Sequence, residues 1–83
     1  MSNLNDLPLA TIDLDVRGMQ PPEPLERVLE TLDRLGAGDC LRVKINCRPV
    51  PLFRILDQNG YTHEEAPGAD SLLEISIRKA APA

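Results

Sequence analysis

Twice in this chain, a run of alternating apolar and polar residues gives way at a cluster of prolines to apolar residues spaced by three and four. Alternation marks a strand with one wet face, and the three-and-four repeat marks an amphipathic helix, so each junction is a strand-to-helix switch. In the first, Ile12, Leu14 and Val16 alternate with Thr11, Asp13 and Asp15. Pro21-Pro22-Glu23-Pro24 follows, and then the stripe Leu25, Val28, Leu29, Leu32 and Leu35. Prolines suit a helix entrance, because the first turn has no intrahelical use for the N–H they lack. Gly36 supplies a stop, and Glu23/Arg27 and Glu30/Arg34 fall at i,i+4 on the outer side of the helix.

The second switch repeats the grammar. Leu41-Arg42-Val43-Lys44-Ile45 alternates, Pro49-Val50-Pro51 opens a shorter helix with Leu52, Ile55 and Leu56 on one side, and Asn59-Gly60 ends it. Tyr61 to Glu65 reads as a short strand. After the turn signal Pro67-Gly68-Ala69-Asp70, Leu73, Ile75 and Ile77 alternate with Glu74, Ser76 and Arg78. The order β-α-β-α-β-β predicts an α/β (α+β) two-layer sandwich, a four-stranded mixed sheet with two helices on one face. A crossover through the first helix makes the first two strands parallel. The other face is expected to be polar, carrying Thr11, Asp13, Asp15, Arg42, Lys44, Glu74, Ser76 and Arg78, with opposite charges paired across strands.

With 83 residues there is room for one domain, and a domain this small buries only about 60% of its unfolded surface. The patterned region predicts a domain over residues 10–79, with flexible termini at 1–9 and 80–83. One Phe and one Tyr leave the core to Leu, Ile and Val and offer no platform on which bases could stack. The net charge of −4 argues against nucleic acid and anionic membranes as partners. Residues 1–40 hold eight acids against three bases and residues 41–83 five against six, so the acidic excess lies in the first half. The opening MSNLNDLPLA has no signal-peptide pattern and no later stretch has the length to span a bilayer, so a cytoplasmic location is expected. Cys40 and Cys47, at opposite ends of one strand, would lie roughly 20 Å apart at about 3.3 Å per residue, which makes them free thiols.

The chemistry-bearing residues gather at the edge where both helices begin: Arg17, Pro21, Glu23, Cys47 and Arg48. Helix N-termini favour anions and lower thiol pKa values, which makes Cys47 beside Arg48 a candidate reactive thiol. Arg17 and Arg48 are candidates to clamp an anion or a partner's carboxylate, and solvation or an ion pair with Glu23 accounts for them equally well. His63 is the only histidine and reads as half-buried strand surface. One His and two separated Cys lack the spacing of a zinc site, so no metal and no cofactor is expected. No phosphate loop, nucleophile triad or paired acid and base emerges, and catalysis by the domain alone is not expected.

The stretch Leu14-Asp15-Val16-Arg17-Gly18-Met19-Gln20-Pro21-Pro22-Glu23-Pro24 resembles the L-D-x-x-G-x-x-C-P-x-P signature of the TusA/SirA family of sulfur carriers. Gly18, Pro22 and Pro24 match it, but Pro21 falls where the family carries its persulfide cysteine. The similarity continues through Gly38-Asp39, Gly60 and His63. A proline has no sulfur and no N–H, so sulfur transfer at that position is chemically excluded. Pro21-Pro22-Glu23-Pro24 and Arg48-Pro49-Val50-Pro51-Leu52 resemble an uncharacterised branch of TusA-like domains. That resemblance implies a bacterial protein, sometimes in hemerythrin-like or nitrogen-oxide respiration contexts, and no established activity.

The expectation is a non-catalytic binding or accessory module. It would dock a partner protein or small ligand at the edge made by Arg17, Gly18, Pro21, Pro22, Glu23, Pro24, Cys47 and Arg48. One alternative is a sulfur-transfer or redox protein that uses Cys47 in place of the missing cysteine. Another, resting on the resemblance alone, is an accessory domain in nitrogen-oxide respiration or metallocofactor handling. Another protein is the expected partner, and homo-oligomerisation is left open.

Overall fold

The computed structural model describes residues 10–79. The tails expected to be flexible, 1–9 and 80–83, lie outside the described residues. Six elements follow in the predicted order: β1 (Thr11–Asp15), α1 (Glu23–Leu32), β2 (Cys40–Ile45), α2 (Val50–Gln58), β3 (Tyr61–Pro67) and β4 (Leu73–Lys79). The sheet order is β1-β2-β4-β3. β1 and β2 are parallel, with Thr11 opposite Cys40 and Asp15 opposite Lys44. β4 is antiparallel to both β2 and β3, so β3 runs the same way as β2 with β4 inserted between them. Both crossovers therefore carry a helix, as parallel strands require, and both helices start at the end of the sheet where β1 and β2 finish.

The core is a single layer between the helices and one sheet face. Leu41, Val43, Ile75 and Ile77 from the two central strands meet Val28 and Leu32 of α1 and Leu52 and Leu56 of α2. The period-two and three-and-four patterns place these residues on facing surfaces, and apolar burial of about 25 cal/mol per Å2 drives the two layers together. On the other face the charges pair as expected. Arg42 bonds Glu74, Lys44 Nζ lies 3.3 Å from Asp70 Oδ1, and Arg17 bridges Asp15 and Asp70. Cys40 is on this face and is nonetheless buried, between Thr11 and Arg78 in the register.

β1 ends at Asp15 rather than Val16 and β2 starts at Cys40 rather than Leu41, and two boundaries differ further from the sequence pattern. α1 ends at Leu32 rather than at Gly36, because the chain tightens into three-residue steps: Arg34 N–H donates to Thr31 O at 3.0 Å and Leu35 N–H to Leu32 O at 3.0 Å. Leu35 still reaches the core, and Gly36 N–H donates to Asp39 Oδ2. Arg34 thus falls outside the helix. Arg27 instead carries the outer pairs, at 4.0 Å to Glu23 and 3.8 Å to Glu30. β3 runs to Pro67 rather than Glu65, since Ala66 and Pro67 continue the register opposite Glu74 and Leu73.

Candidate functional site

Three connections meet at the end of the sheet where the helices start: residues 16–22 after β1, 46–49 after β2, and the β3–β4 turn at 68–72. Gly18 permits the first by adopting φ +81° with open space around it, so its requirement is conformational rather than steric. The Pro21–Pro22 peptide bond is cis. Between the two helix starts lies a hollow of about 320 Å3, walled by Pro21, Pro24 and Leu25 on one side and Pro49, Pro51 and Leu52 on the other. Pro22, Ile45, Cys47 and Arg48 complete its lining, and the Cys47 thiol is exposed.

The hollow is apolar, and the helix starts have few amides to offer an anion. Pro22, Pro24, Pro49 and Pro51 have no N–H. The Glu23 N–H donates to Gln20 O at 2.9 Å, Val50 N–H to Arg48 O at 3.0 Å and Leu52 N–H to Pro49 O at 3.0 Å. The neighbouring cations are also engaged. Arg48 grips Glu65 through both arms, Nη1 to Oε1 at 3.0 Å and Nη2 to Oε2 at 3.2 Å, and its guanidinium lies 5.6 Å from the centre of the Phe53 ring. Arg17 donates through Nε and Nη2 to the Asp15 carboxylate and through Nη1 to the Asp70 carbonyl. These bonds and the Arg17 backbone N–H hold Asp15 at about 2, well below the usual carboxylate range, and Asp15 in turn raises Arg17 further. Asp70 is lowered by its bond to Lys44.

Of the residues singled out from the sequence, the hollow gathers Pro21, Pro22, Pro24, Cys47 and Arg48. Gly18 shapes the approach. Glu23 is exposed beside Arg27, and Arg17 turns to the open sheet face. His63 lies elsewhere, stacked on Phe53 with ring centres 4.7 Å apart, its Nε2 3.6 Å from Asp57 Oδ1. Its Nδ1 is buried without a hydrogen-bond partner.

Two residues escaped the sequence reading. Val50 and Leu72 are the large hydrophobics left most exposed among the described residues, at 53% and 59%. Both belong to this end, Val50 between the two prolines that open α2, and Leu72 held by its N–H bond to Asn46 Oδ1 at 2.9 Å. The available signal was the doubled Leu72-Leu73, of which only Leu73 can keep the inward register.

Larger hollows of about 410 and 530 Å3 lie over the open face, the first lined by members of its ion-pair network such as Arg42, Lys44, Asp70 and Glu74 and the second largely by polar side chains such as Thr11, Thr62, Glu64 and Ser76. No cluster of three His, Cys, Asp or Glu suited to a metal ion occurs among the described residues, and no helix among them is long and apolar enough to cross a membrane.

A family model for an uncharacterized conserved protein, DUF2249, matches residues 13–79, from β1 through the last residue of β4. The chain belongs to the DUF2249 family. Among solved structures, it is similar to the crystal structure of a SirA-like protein from Desulfitobacterium hafniense, with 25% identity and a TM-score of 0.67 over 88% of this chain and 100% of that one. This DUF2249 chain therefore has the SirA-like fold: two helices on one side of a four-stranded mixed sheet. No curated protein matches it.

Proposed function

We propose that this chain is a non-catalytic binding domain that docks onto another protein through the helix-start end of its SirA-like fold. Pro21 stands where the resemblance to TusA/SirA carriers would put the sulfur-bearing cysteine, as in the uncharacterised branch to which that resemblance points. The reading rests on one observation: Val50 and Leu72, the large hydrophobics left most exposed among the described residues, lie at the same end as a proline-walled apolar hollow. Exposed apolar side chains beside a concave apolar surface favour protein contact, whereas scattered single ones do not. Photo-crosslinking tests it. A benzoylphenylalanine at position 50 or 72 is expected to give one discrete adduct in cells, and the same group at Thr62 on the open face none. Adducts absent from positions 50 and 72 would overturn the reading.

The second reading, sulfur transfer or redox chemistry at Cys47, draws on the exposure of that thiol at the rim of the hollow. In such a step the Cys47 thiolate takes the outer sulfur of a donor persulfide and the donor thiolate departs. The capture of Arg48 by Glu65 and the shortage of free amides weigh against it, because both features that stabilise an anionic sulfur are committed elsewhere. Intact-mass measurement after incubation with a persulfide donor decides. The gain of one sulfur atom on the native chain, absent in Cys47→Ser, would displace the docking reading.

A further inference from the structure

The helix layer is divided by a furrow. α1 turns Pro24, Val28 and Leu32 to the sheet, and Leu25 and Leu29, one position further round, are only half-buried. Ile55 of α2 lines the same furrow as Leu29, together with Tyr61. The two helices rest on the sheet and scarcely on each other, which leaves a trough of about 510 Å3 between them. Leu25 lines the proline-walled hollow and Leu29, one turn on, lines the trough, whose apolar floor of Leu29, Leu32, Ile55 and Tyr61 is bordered by Glu26, Glu30, Asp33 and Asn59.

The rims of this trough differ in charge. On α1 the row beside Leu25 and Leu29 is Glu26, Glu30 and Asp33, and the last turn of that helix holds no base. Glu30 meets Arg27 at 3.8 Å, while Glu26 and Asp33 have no ion pair among the described residues. The α2 rim carries Arg54 and Gln58. The trough is walled chiefly by side chains of the two helices, not by a strand edge laid along it. An extended segment laid there would leave its own N–H and C=O groups against hydrocarbon, whereas a helix carries its hydrogen bonds with it.

We propose that the furrow seats an amphipathic helix of a partner protein, with its apolar row over Leu29, Ile55 and Tyr61 and with Lys or Arg along the flank that faces α1. This deepens the docking reading and rests on it. α1 has 10 residues, about 15 Å at 1.5 Å per residue, which sets the length of contact. A second copy presenting its own α1 would oppose acid to acid, which is unfavourable across an interface.

The test is an NMR titration of the full chain with a designed peptide helix. The peptide has leucines in a three-and-four repeat and lysines elsewhere, and its counterpart has glutamate for lysine. The amides of Leu29, Ile55 and Tyr61 are expected to shift with the lysine peptide, and the glutamate peptide to bind roughly tenfold or more weakly. Glu26→Lys with Asp33→Lys, on exposed positions that leave the core intact, is expected to invert that preference. Asp13→Lys with Glu64→Lys, an equal change in net charge on the open face, is expected to leave it unchanged. Shifts confined to the hollow and alike for both peptides would keep the docking reading and sink the helix inference. Absence of binding, shifts on the open face, or concentration-dependent self-association through the same residues would overturn the inference, while the crosslinking result stands as a separate test of docking.

Discussion

Arg17 stands four positions before Pro21, yet its side chain serves the opposite face of the molecule. Its guanidinium lies 2.7 Å from Asp15 and 3.2 Å from Asp70, so one residue ties the end of β1 to the β3–β4 turn. Sequence spacing offered Glu23 as its ion-pair partner, but Glu23 lies beside Arg27 instead, and neither Asp15, two residues back at the end of β1, nor Asp70, 53 positions away, was anticipated. The pair makes an acid-stability prediction. Asp15 is held at about 2 against an ordinary 3.8, so its contribution is present above 3.8 and is lost as pH falls towards 2. Asp15→Asn is expected to flatten the pH dependence of unfolding free energy in that window, measured by urea titration at a series of pH values. Because the pair is solvent-exposed, the difference should shrink in high salt.

At the level of elements, the prolines and the alternating runs told most of the story: all six elements, their order and the helix-covered face were legible. What pattern could not show was the tightening after Leu32, a hydrogen-bond choice made by the loop, and the continuation of β3, which depends on its partner strand. The candidate site was legible in the residues that line the hollow, Pro21, Pro22, Pro24, Cys47 and Arg48. It misled where partners decide the outcome, because nothing near Arg48 in sequence foretells Glu65. That contact belongs to the seam between α2 and β3, where Glu65, Arg48, Phe53, His63 and Asp57 form a continuous ladder. Rings 4.7 Å apart and inclined by 16° are in stacking contact. A double-mutant cycle of Phe53→Leu and His63→Leu is therefore expected to return a coupling of about 0.5–1.5 kcal/mol. A coupling of zero would mean that the rings touch without mutual stabilisation.

For the molecule as a whole, one thin apolar layer carries the stability. Leu56 is fully buried within it, and Leu56→Ala is expected to cost about 2–5 kcal/mol, a large share of the roughly 5–15 kcal/mol typical of folded domains. In a domain of this size Tm should fall by about 4–8 °C per kcal/mol, read by thermal circular dichroism. Arg42→Ala on the uncovered face removes only an exposed pair and should shift Tm far less. The sheet's register also brings both ends of the described chain together. Ala10 O accepts from Cys40 N–H at 2.9 Å, and Arg78 stands opposite Cys40 on the other side. Both leave from the pole farthest from the proline-walled hollow. A tether, tag or neighbouring domain joined at either end would thus hold the fold like a stalk, with the hollow facing outward and clear of its own support.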